Sequence, residues 1–126
     1  MSQPPPERPR DRLGRPLPWD ADGFPTVPLR PQISSADALA EARAYLADGL
    51  PFHAHEVLEM RWRCCADDER VLWRALAQAA AGVTHAARGN PTGAERLHER
   101  ASATIAAYDG PLPAGIDDLL ADLGLD

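Results

Sequence analysis

In the run Pro51 to Trp62, PFHAHEVLEMRW, residues His55, Glu59 and Trp62 stand at i, i+4 and i+7. On an α-helix that spacing aligns all three along one side. A helix that only packs would carry Leu, Ile or Val there. An imidazole and a carboxylate four residues apart can share one divalent metal ion, or bond to each other. Glu56 stands next to them. The following helix offers Gln78 and His85, with Arg88 at its end. If the two helices pack antiparallel, His55 or Glu59 faces Gln78 and His85, and Gly82 leaves room for close helix approach or for a ligand.

Three uses of these residues compete. In the first, His55 and His85 bond to Glu56, Glu59 or Gln78 in a buried network that fixes helix register, because buried polar groups must find partners. In the second, His55, Glu59 and His85 are ligands of a divalent metal, and Glu56 is a base for hydrolysis. The sequence has neither H-E-x-x-H nor the E-x-x-H pairs of diiron bundles. In the third, the domain is a binding or assembly module. Trp19, Trp62 and Trp73 are its candidate anchors, since large aromatics dominate contact energies. Core packing is the expected role of Trp62, whereas Trp73 lies off the main apolar stripe.

The elements that would position these groups are all helical. Residues 1 to 32 hold nine of the thirteen prolines. Proline has no amide donor and a fixed φ, so this stretch is expected to be an extended arm. Its Trp19 and Phe24 predict that the part from Leu17 onward lies across the body or a partner. Ser34 then caps a first helix carrying Leu39, Ala42 and Leu46, which Gly49 ends. Pro51 opens a second, which runs to about Cys65. Acids at Asp67 to Glu69 suit the start of a third, with Leu72, Leu76, Ala79 and Val83 at core spacing and a stop at Gly89. Asn90-Pro91 caps a fourth, broken at Asp109-Gly110-Pro111. Ile116, Leu119, Leu120 and Leu123 form a short fifth. The expected fold is therefore all-α: a bundle of four main antiparallel helices and a short C-terminal helix over residues 33 to 126, with the proline-rich arm before it.

Composition narrows the function classes. At 126 residues the chain is one domain with a tail. A formal charge of -6 gives no basic footprint for nucleic acid. The basic arm (Arg8, Arg10, Arg12, Arg15) and the acidic end (Asp109, Asp117, Asp118, Asp122, Asp126) fit either a tail folded back on the body or two solvated surfaces, the commoner case. Cys64 and Cys65 are adjacent, too close for an unstrained disulfide and without C-x-x-C metal spacing, so both are expected as reduced thiols. Neither a leader-like apolar run nor a membrane-length stretch is present, so a cytoplasmic protein is expected.

Two blocks resemble one family. Phe52-x-Ala54-His55-Glu56-x-Leu58-Glu59-x-x-Trp62 is the first. Leu76-x-Gln78-Ala79, Gly82, His85, then Arg88-Gly89-Asn90-x-x-Gly93-Ala94 and Leu97 form the second. Together they resemble the bacterial and archaeal domain of unknown function 309, over roughly residues 36 to 108. The resemblance implies an all-helical fold and no particular reaction. His53 and the Cys64-Cys65 pair depart from the usual pattern. The expected function is a cytoplasmic, non-enzymatic helical module that binds a ligand or partner, or a second copy of itself, through His55, Glu56, Glu59, Trp62, Gln78, His85 and Arg88. The alternative is a metal-dependent hydrolase using the same cleft. The cofactor is unspecified, a divalent metal ion being the candidate.

Overall fold

The computed structural model describes residues 7–126, so Pro4, Pro5 and Pro6 of the arm lie outside the described residues. Five α-helices follow the arm: α1 Ser35–Ala47, α2 Pro51–Cys64, α3 Arg70–Ala87, α4 Pro91–Ala107 and α5 Ile116–Asp122. A single 3₁₀ turn at Asp67–Glu69 leads into α3. No strand occurs among the described residues.

The helix ends are set by local chemistry. The Ser34 hydroxyl accepts the Asp37 amide at 3.1 Å, satisfying one free donor of the first turn of α1. Pro51 occupies the first turn of α2 and Pro91 that of α4, where no amide donor is needed. Asn90 caps α4 by accepting the Gly93 amide at 3.1 Å.

Each helix packs on its predecessor: α1 on α2, α2 on α3, α3 on α4. α5 returns to α1, where Arg43 pairs with Asp122 at 2.7 Å and Asp118 at 3.7 Å. Two acids of the C-terminal end thus pair with one arginine of the body. α3 is the central element, with Leu72, Trp73, Leu76 and Ala80 fully buried. It meets α4 at Gly82, where a Cβ would come within 3.2 Å of the Ala94 carbonyl, so this glycine serves close helix approach. Val83, expected in the core, is 37 % exposed at the rim of that contact. Trp73 is completely buried; its indole N–H donates to Glu69 at 3.0 Å and the Arg61 guanidinium lies over its ring. The apolar stripe of α3 is therefore wider than one face, because the helix is covered on two sides.

The arm lies on the α1–α2 side. Arg30 grips Glu41 of α1 through two bonds of 2.9 and 2.7 Å. Ile33 is buried in the core and Val27 packs against it. Docking begins earlier than Leu17: Gly14 is buried against Phe52, in a turn that Asp11 closes by accepting the amides of Leu13 and Arg15. No helix is long and apolar enough to cross a membrane among the described residues.

Candidate functional site

α2 lies between α1 and α3 and buries two faces. His53, Val57 and Met60 fill one, and Ala54 and Leu58 the other. Helical geometry then leaves His55, Glu56 and Glu59 on the remaining, partly open side. Their side chains converge there. His55 Nδ1 is 3.3 Å from Glu56 Oε1, and His55 Nε2 is 3.4 Å from Glu59 Oε2. One donor atom from each of the three residues lies within 4.8 Å of the others. All three side chains are partly exposed.

The imidazole is thus flanked by a carboxylate at each nitrogen. A neutral ring has one N–H and one lone pair. Both nitrogens serve the carboxylate beside them only if the ring carries two protons, or if a cation stands between a nitrogen and its carboxylate. The His55 imidazole beside it holds the Glu56 carboxyl below its ordinary range. Partial burial opposes this, and the charges of Arg10 and Arg63 add to it. Glu59 is also held by Arg63 at 2.5 Å. Phe52 stacks on His55, ring centres 6.2 Å apart, which fixes the plane of the imidazole.

The other expected residues are placed differently. His85 shares with His55 an open cleft of about 190 Å³, between Phe52, Thr84 and Arg88. It is not one of the three converging donors. Asn90 uses its Oδ1 on Gly93, so the amide nitrogen faces His85 Nδ1 at 3.1 Å and donates to it. Arg88 is directed to the arm, donating to the Leu13 carbonyl at 2.9 and 2.6 Å. Gln78 and Trp62 do not line that cleft. Trp62 packs against the core, with its indole nitrogen buried and without a partner among the described residues.

Sequence reasoning passed over His53. It is 5 % exposed, its Nε2 lies 2.6 Å from the Pro25 carbonyl, and its ring is surrounded by Phe24, Tyr45 and Phe52. The signal was its spacing with Val57 and Met60, which is that of a second buried face.

Fold and site together define a small all-helical domain with a histidine–carboxylate cluster on its second helix. Residues 39–97 match the family described as Domain of unknown function (DUF309), and over this segment the chain is similar to that family. No curated protein and no solved structure matches the chain.

Proposed function

We propose that the protein is a non-enzymatic binding module that takes up a divalent cation at His55, Glu56 and Glu59. The observation that carries this reading is the convergence of three donor atoms within 4.8 Å on one partly exposed helix face. One imidazole and two carboxylates form a donor set suited to Zn²⁺, Mn²⁺ or Fe²⁺. A hydrolytic role would need a base beside the ligands. Glu56, the residue expected for that role, is drawn into the donor set, which favours binding over catalysis. The adjacent free thiols fit a reducing, cytoplasmic setting.

The test is calorimetric titration of the untagged, chelator-treated protein with each of the three ions. Uptake of one ion per chain, lost in His55→Ala and in Glu59→Gln, is the expected result. Absence of heat with all three ions would overturn the cation reading and leave the cluster as an ion-pair network held by Arg63.

A further inference from the structure

A second cleft, of about 340 Å³, lies between two passes of the arm and the start of α2. Its size falls in the range of small-molecule sites. Phe52 and His53 of α2 line it, with Arg8 and Arg10 from the first pass of the arm and Phe24 and Val27 from the second. Glu56 borders it as well.

His53 is nine-tenths buried and half satisfied. A carbonyl only accepts, so the contact to Pro25 puts the proton on Nε2. Nδ1 is then a lone-pair acceptor, and it is buried without a partner among the described residues. An unpaired buried acceptor is unfavourable and is relieved by a donor from outside. The two arginines offer the opposite chemistry. Arg8 donates through Nε to the Leu17 carbonyl, and Arg10 through one terminal nitrogen to the Gly14 carbonyl. Their other N–H groups make no hydrogen bond within the described residues and suit an anionic group. Between acceptor and donors stand the apolar faces of Phe24, Phe52 and Val27.

We infer that this cleft binds a small zwitterion with an apolar side chain, a free apolar amino acid. Its carboxylate pairs with Arg8 and Arg10, its ammonium with His53 Nδ1 and Glu56, and its side chain packs on Phe24, Phe52 and Val27. His53 Nδ1 has no exposed surface in the free protein, so the ammonium reaches it only if the arm shifts. The charged lining is mixed, Arg8 and Arg10 beside Glu7, Asp11 and Glu56, so a ligand of one sign leaves part of it unmatched. The inference stands without the cation reading; because Glu56 belongs to both sites, a bound cation would compete with the ammonium for it.

Calorimetry of the full chain in excess chelator, with L-phenylalanine as probe, tests it apart from any metal. Binding of one molecule per chain is expected. Phenethylamine and 3-phenylpropanoate, each lacking one charged end, are expected to bind at least about tenfold more weakly, the loss of a charge-assisted bond. His53→Phe, which keeps a ring but drops Nδ1, weakens L-phenylalanine by about tenfold on the same grounds. Thr26→Trp fills the cleft from an exposed position and abolishes binding without touching the core. No heat at about 10 mM L-phenylalanine, far above a typical ligand Kd, overturns the proposal. So does binding that survives Thr26→Trp, or a single-charge probe that binds as tightly as the amino acid.

Discussion

Arg88, just past the end of α3, clasps the carbonyl oxygen of Leu13 with two hydrogen bonds, 2.9 Å from Nε and 2.6 Å from Nη2. The same guanidinium lies 6.0 Å from the centre of the Phe52 ring, and Arg10 lies 5.9 Å from it. Phe52 in turn stacks on His55. A chain of contacts therefore runs from the end of α3, through the arm, to the imidazole of the histidine–carboxylate cluster. Arg88 works as a clamp on the arm.

Replacing Arg88 with Ala removes both bonds and leaves the Leu13 carbonyl to water. A charge-assisted bond at a partly open position is worth about 1–2 kcal/mol, so the helical core should survive. The arm should not stay docked. Trypsin is expected to cut after Arg10 and Arg12 several-fold faster in Arg88→Ala, with helical circular dichroism unchanged. Arg88→Lys should be intermediate, because an ammonium cannot make the paired contact. Equal cleavage rates in wild type and Arg88→Ala would show that the clamp does not hold the arm.

Gly14 makes a sharper test of the same docking. Its φ is +78°, a region that costs an L-residue about 1–2 kcal/mol. A Cβ there would also overlap the Phe52 ring. Gly14→Ala must therefore move either the turn or Phe52. The expected result is arm release by trypsin assay, together with a change in the His55 environment seen as a shifted imidazole resonance. A docked arm and an unmoved His55 signal would mean that Phe52 does not couple the two.

Arg63 competes with any cation for Glu59. Its Nη2 lies 2.5 Å from Glu59 Oε1, on an exposed side chain. Exposed pairs of this kind contribute about 0.3–0.5 kcal/mol to a helix, so Arg63→Ala should barely change stability. It should raise cation affinity about twofold or more, since the carboxylate no longer has to release its partner. Weaker uptake in Arg63→Ala would contradict the placing of the ion between His55 and Glu59.

The helices were legible in the sequence because each end carries its own chemistry: Ser34, Pro51 and Asn90-Pro91 act locally, within one turn. His55 and Glu59 were legible as a pair because i, i+4 spacing places both on one side of a helix. The third member of the cluster was not. Whether Glu56 or His85 joins them depends on side-chain reach and on Asn90, which holds His85 from the turn between α3 and α4. The docking of the arm left still less trace. Apart from the Arg30–Glu41 pair, its anchors include the backbone carbonyls of Leu13, Pro25 and Ile33, which accept from Arg88, His53 and Arg61. Every residue has a carbonyl, so no residue type marks the contact points.

The Arg30–Glu41 pair ties the arm to α1 and makes that tie sensitive to acid. The two bonds from Arg30 hold the Glu41 carboxyl below its ordinary value of 4.5, while partial burial pushes the other way. A carboxyl with a depressed folded value binds its proton less readily folded than unfolded. Its contribution is therefore fully present above about pH 4.5 and is lost as pH falls through the lower, folded value. Both side chains are about one-third exposed, so the contribution is small, about 0.5–1 kcal/mol after solvent screening. Urea unfolding of Glu41→Gln should show a lower midpoint than wild type at pH 7, and the two should converge as pH falls from 7 to below 4.5. Arg30→Met should behave in the same way, and the double variant should lose little more than either single one, since they share one interaction. A constant gap between wild type and Glu41→Gln across that range would show that the carboxylate charge does not hold the arm, and that the substitution acts through packing alone.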